Sequence, residues 1–167
     1  PVFARYTGCR IGELAILKAE DIVEKQGIRC LFVTARGKTE TERGKLKTET
    51  SERFVHVSSI LSRHLDMILL KHKTGYLFPK CGNWLNERRK IRKPAHSFIK
   101  DYNRYAKKID PQHSFHCWRV YANTQMADAG IDILDREAIL GHKSDRIQRV
   151  YTAENMQRLK RAVDTIN

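Results

Sequence analysis

Cysteine, long apolar runs and acidic residues are all in short supply, and each shortage closes off a class of protein. The four cysteines, Cys9, Cys30, Cys81 and Cys117, lie far apart with no C-x-x-C spacing. That distribution fits reduced thiols and argues against a disulfide framework or a zinc site, so no metal and no cofactor is expected. No apolar run approaches the ~18 residues of a membrane span, and no charged-then-apolar signal sequence opens the chain, so a soluble cytoplasmic protein with no membrane contact is expected. Acidic residues number 19 against 32 lysines and arginines, a net charge of +13. Such an excess outlasts local ion pairing and points to a polyanionic partner. On charge alone, a basic protein that merely resists aggregation fits as well.

What is present suits one globular domain, residues 1–167, with 41% hydrophobic residues to build a core. Val2, Phe3 and Tyr6 supply apolar residues before Thr7-Gly8, so the sequence reads as a fragment of a longer protein. Apolar residues at 11, 14 and 17 predict a short helix over Arg10–Leu17. Ile28–Thr34 and Arg53–Val57 read as two strands, joined by a long polar segment, Ala35–Glu52, that holds Lys38, Lys45 and Lys47. Ser58 or Ser59 caps a helix carrying Leu61, Leu65, Ile68 and Leu69 on one face, with Gly75 beyond its end. Arg88, Arg89, Lys90, Arg92 and Lys93 then form a basic cluster before Pro94, equally readable as a phosphate-contacting surface or a solvated face. The remainder reads helical: Ser97–Lys107, His116–Ala129, Ile133–Leu140 stopped by Gly141, and a last helix from Ala153 with Met156, Leu159, Val163 and Ile166 on one stripe. The expected fold class is mainly α with a small antiparallel β-sheet (α+β).

Three local arrangements carry chemistry. His116 and Arg119, three apart on a predicted helix, project from nearly the same face and could grip one anion together; a helix start with solvated polar residues reads the same way. In Leu140-Gly141-His142-Lys143-Ser144 the glycine ends one helix and His142 occupies the turn, with Tyr151 nine residues on. Arg10 stands three residues before Glu13, a spacing that lets the carboxylate hold the guanidinium, or that makes a plain surface ion pair.

Taken in order, Thr7-Gly-Cys-Arg-Ile-Gly-Glu-Leu14, a lysine-bearing hairpin, His116-x-x-Arg119, Leu140-Gly-His142 and Val150-Tyr151 resemble the tyrosine recombinase (phage integrase) family over essentially the whole chain. The resemblance implies the tyrosine recombinase catalytic-domain fold of the DNA breaking-rejoining enzymes. It makes Arg10 and Arg119 the arginine pair, His116 the second-box histidine, His142 the third-box histidine, Tyr151 the nucleophile and Glu13 the acidic support. Lys47-Thr-Glu-Thr-Ser-Glu-Arg53-Phe-Val looks like the family's K-T-x-x-S-x-R-x-V stretch, so Lys47 is favoured as the catalytic lysine, with Lys38 in Gly37-Lys38-Thr39 as the alternative. Two departures stand out: Trp118 replaces a smaller aliphatic residue, and Val120 stands where many relatives have a second histidine.

These residue types suit phosphodiester cleavage. Guanidinium forks match phosphate oxygens and stabilise added charge without a metal. A tyrosine with an ordinary pKa near ~10 needs a base or a cationic field to attack. His116 is the base candidate, His142 a donor to a non-bridging oxygen, and the lysine the acid for the leaving 5′ hydroxyl. The resemblance implies a 3′-phosphotyrosine intermediate, a Holliday junction, and a homotetramer on two double-stranded DNA duplexes; for the isolated domain a monomer is one of the states left open. It implies as well a nucleoid-associated enzyme of a phage or mobile element, and an N-terminal DNA-clamping domain in the longer protein. The last helix is expected either to be exchanged between neighbours or to pack within its own domain. A type IB topoisomerase shares this chemistry, and a non-catalytic DNA-binding module is the reading from a different class. A metal-dependent nuclease would need clustered carboxylates, which here lie mostly among lysines and arginines on predicted surface faces.

Overall fold

The computed structural model describes residues 1–34, 52–82, 95–142 and 153–166. Its first helix, α1 (Val2–Thr7), stops where Gly8 turns left-handed at φ 63°, a conformation that glycine adopts without a Cβ penalty. The sequence had suggested no helix there, because six residues are too few to show a period. After α2 (Ile11–Ala15) and a 3₁₀ turn at Ala19–Asp21, three antiparallel strands follow in the order β1 (Ile22–Lys25), β2 (Ile28–Val33), β3 (Arg53–His56). The first strand is an addition to the two expected. It is four residues long with two of them exposed, and it turns through Gln26 and Gly27, both at positive φ. This is a two-residue hairpin closed by a pair less recognisable than Asn-Gly.

The register pairs Leu31 with Val55 and Cys30 with His56, so the two faces of the sheet serve different cores. Leu31, Val33, Val55 and Val57 join Phe3, Leu14, Leu61 and Leu65 in the larger one. Leu61 and Leu65 come from α3 (Ser59–Lys71), which begins where the Ser58 hydroxyl accepts from Leu61 N, as the capping signal predicts. The opposite face, with Ile28 and Cys30, is covered by Met156.

A short α4 (Pro79–Gly82) precedes α5 (His96–Ile109), α6 (Cys117–Asp128), α7 (Ile133–Leu140) and α8 (Ala153–Asp164). Asp132 caps α7 by accepting from Leu134 N at 2.8 Å, and Gly141, at φ 67°, ends it. A second core forms where Ala122 and Met126 of α6 and Ala138 to Leu140 of α7 meet Leu159, Ala162, Val163 and Ile166. The last stripe is therefore buried within its own domain, one of the two uses expected for it. The architecture is mainly helical with a small antiparallel sheet, as the sequence predicted. Among the described residues no helix is long and apolar enough to cross a membrane.

Candidate active site

Four chain segments distant in sequence converge: the turn between α1 and α2, the start of β3, the first turn of α6 and the end of α7. Thr7 and Gly8 shape the first. The Thr7 hydroxyl donates to Phe3 O at 2.5 Å and accepts from Cys9 N at 3.1 Å, so the chain leaves α1 in one conformation and delivers Arg10 to the N-cap of α2. There Glu13 accepts from Arg10 N at 2.8 Å and from Arg10 Nη1 at 2.9 Å. The sequence spacing foresaw this pair. It is lopsided: the Arg10 side chain is 45% exposed, whereas that of Glu13 is 1% exposed.

Glu13 is buried because it has a second partner that sequence reasoning did not single out. Arg53 Nη1 and Nη2 donate to its two carboxylate oxygens at 3.2 and 2.9 Å, and Arg53 Nε donates to Ile139 O at 2.8 Å. Burial alone would raise the Glu13 pKa, but the Arg53 charge and the hydrogen bonds from Arg53 and Arg10 outweigh it and hold the carboxyl below its ordinary range. The signal for Arg53 was available: it lies in phase with Val55 and Val57, a charged side chain on the apolar face of a strand. Gly141 matters here too. A Cβ on it would stand 2.7 Å from Arg53 Nη1, so this glycine is required both by its positive φ and by the guanidinium lying against it.

Arg119 ties the other two segments together. It is 5% exposed and donates through Nη1 to Gly8 O at 2.7 Å and through Nη2 to Leu140 O at 2.5 Å. Burial, followed by the nearby Arg10 charge, brings its pKa down to about 10, which leaves it charged at neutral pH. His142 is exposed just beyond Gly141. Its pKa is lowered by burial and then by the charges of Arg119, Arg10 and Arg53, against Glu137. Arg10, Arg119 and His142 thus share one electrostatic field.

His116 is exposed at the N-cap of α6, one turn before Arg119. The two share a turn, as predicted, but differ in burial. Lys47, its alternative Lys38, Tyr151 and the basic cluster Arg88, Arg89, Lys90, Arg92 and Lys93 lie outside the described residues. Guanidinium groups cannot ligate a cation, and among the described residues no three or more His, Cys, Asp or Glu side chains group as a metal site. What the arrangement can do is bind and polarise an anion: cations held close together repel one another until a negative group enters. An apolar groove of about 410 Å³ between α1 and α3, lined by Phe3, Leu14, Met67 and Phe98 among others, contains none of these residues.

The phage integrase family model matches residues 2–158. Tyrosine recombinase XerA of Pyrococcus furiosus is 30% identical over 164 residues, 96% of this chain and 51% of the relative. Among solved structures, the integrase of mycobacterium phage Brujita aligns with a TM-score of 0.69 at 18% identity, over 99% of this chain and 50% of that one. A crystal structure of XerA recombinase aligns at 0.54 and 25% identity, over 95% and 53%. The Tn1549 transposon integrase, solved with circular intermediate DNA, aligns at 0.58 and 18% identity, over 93% and 56%. This chain spans about half the length of the relatives it matches. With its fold, its arginine pair and the family match in agreement, the chain belongs to the phage integrase family.

Proposed function

We propose that residues 1–167 form one catalytic domain of a site-specific DNA recombinase, which cuts and rejoins double-stranded DNA through a 3′-phosphotyrosine. The observation that carries this reading is the convergence of Arg10, held by Glu13, with Arg119, held by Gly8 O and Leu140 O, and with His142 just beyond the end of α7, a cluster suited to a phosphodiester. Arg10 and Arg119 stabilise the charge that builds on the non-bridging oxygens, and His142 donates to one of them. The Tyr151 oxygen attacks phosphorus, and His116 accepts its proton. The bond from phosphorus to the 5′ oxygen breaks, and Lys47 protonates that oxygen to give the 5′ hydroxyl. Phosphodiester energy is kept in the tyrosyl link, so a 5′ hydroxyl from a second duplex can reverse the step without ATP. Exchange of two strand pairs in this way passes through a Holliday junction on a homotetramer. The basic run from Arg88 to Lys93 is assigned to DNA backbone contacts.

The test is incubation of the wild-type protein and Tyr151→Phe with nicked suicide DNA in the presence of a chelator. A denaturation-resistant adduct formed only by the wild type supports the reading; its absence, on substrates that carry the cognate site, overturns it. Relaxation of single circles without exchange between duplexes would assign the chemistry to a topoisomerase instead. In the same assay Lys47→Ala should spare a substrate with a better 5′ leaving group, and Lys38→Ala should not show that pattern.

A further inference from the structure

His116 follows a turn whose geometry is set from outside the turn. The chain from Asp110 to Cys117 makes two successive tight turns, with His113 N donating to Asp110 O and Cys117 N to Ser114 O, both at 3.0 Å. Such turns lock backbone shape but not their orientation on the rest of the protein. That orientation comes from α5. The Tyr102 hydroxyl lies 2.6 Å from His113 Nε2 and accepts from Trp118 Nε1 at 2.8 Å. His113 is three residues before His116 and Trp118 two residues after it, so one oxygen on a neighbouring helix clamps both flanks of that histidine.

An indole N–H can only donate, so the phenol oxygen accepts from Trp118, while the hydroxyl's bond to His113 Nε2 runs in the direction set by the imidazole tautomer. The ring contacts repeat the attachment: Tyr102 packs edge-on to Phe115 at 5.2 Å and His113 edge-on to Trp118 at 5.8 Å. Burial raises the Tyr102 pKa, against the lowering effect of the Trp118 hydrogen bond, which keeps the phenol protonated and able to donate. Trp118 is one of the two residues that depart from the family pattern, and without its N–H the far side of the clamp would not exist.

We infer that Tyr102, through Trp118 and His113, is a positioning residue for His116 in the reaction proposed above, on which this inference rests. It touches neither DNA nor the reacting atoms; it fixes where the imidazole stands when the tyrosine attacks. Small displacements of a proton acceptor are expensive in rate because reacting atoms must lie within hydrogen-bond reach.

The experiment measures single-turnover adduct formation on suicide DNA, together with DNA affinity, for the wild type, Tyr102→Phe, Trp118→Phe, His116→Ala and the double variant Tyr102→Phe/His116→Ala. Tyr102→Phe keeps the ring and removes only the hydroxyl, which makes it the deciding variant; Trp118→Phe removes the N–H together with part of the indole's packing on His113 and Tyr121. The expected result is adduct formation about tenfold slower for Tyr102→Phe and for Trp118→Phe at unchanged DNA affinity, with no further slowing when Tyr102→Phe is added to His116→Ala. Equal slowing in both backgrounds would mean a structural effect unrelated to His116 and would overturn the inference, as would a wild-type rate for Tyr102→Phe. No adduct from the wild type itself would overturn the proposed function and this inference together, whereas a wild-type adduct with an unaffected Tyr102→Phe overturns this inference alone.

Discussion

The two ends of strand β3 bury a basic side chain each, and they treat it in opposite ways. At one end Arg53 is 3% exposed and meets Glu13 through two hydrogen bonds and Ile139 O through a third. At the other end His56 is 0% exposed, and neither ring nitrogen meets a hydrogen-bond partner among the described residues. Its charged neighbours, Lys160 and Asp164, pair with each other. Burial, then Lys160, against Asp164, brings the His56 pKa down to about 4, so the ring is neutral at physiological pH. About 10 Å of strand, at ~3.3 Å per residue, separates a buried charge that is fully matched from a buried base that stays uncharged. The matched charge lies against Glu13 and the end of α7, where Arg10 and Arg119 are also held; the neutral ring lies under α8, where it serves as packing.

That contrast can be broken at either end. The largest effect is expected from Glu13→Ala, which strands the Arg53 charge in the core and should cost about 3–5 kcal/mol by urea unfolding, while Glu13→Ala/Arg53→Met should recover most of it. A single variant with wild-type stability would mean the pair does not govern the charge of Arg53. Acid acts on the other end. Below the ordinary histidine pKa of 6.5 the unfolded chain takes up a proton that folded His56 refuses, so the stability present above pH 6.5 drains away as pH falls to about 4. The full loss is roughly 3 kcal/mol, and His56→Leu should remove that component from the pH profile of unfolding. Arg119→Ala leaves two helix-end carbonyls without their donor, about 1–3 kcal/mol of stability, and should slow cleavage by about 10²–10³. Arg10→Ala should slow cleavage as much while changing stability by less than about 1 kcal/mol, because its ion pair is half-exposed. Equal unfolding midpoints for these last two variants would contradict the difference in burial.

The parts of this picture legible in the sequence are those encoded locally. Ser58 at a helix start, Gly141 at a helix end and the three-residue step from Arg10 to Glu13 each declare their partner within one turn of chain, and the structure has all three. What stayed hidden was long-range. The Arg119 side chain could be marked as a site residue by resemblance, yet its carbonyl partners are 111 and 21 residues away, and no periodicity announces them. Arg53 was read only as part of a stretch entering a strand, because its meaning depends on a carboxylate 40 residues earlier. Glu13, one of the carboxylates expected mostly on surface faces, is buried for the same reason. Strand β1 was missed because half of its residues face solvent and its turn lacks the usual asparagine.

Arg119 also sets the polarity of this cluster. Gly8 is the C-cap of α1 and Leu140 the last residue of α7, so the guanidinium is braced by the negative ends of two helix dipoles. Each carries at most about half an elementary charge, and a six-residue helix such as α1 less. A carboxylate partner would have neutralised the cation and closed it to any other anion. Fractional charges anchor the fork yet leave it electrophilic, so what arrives opposite Arg119 still meets a net positive group whose position is already fixed.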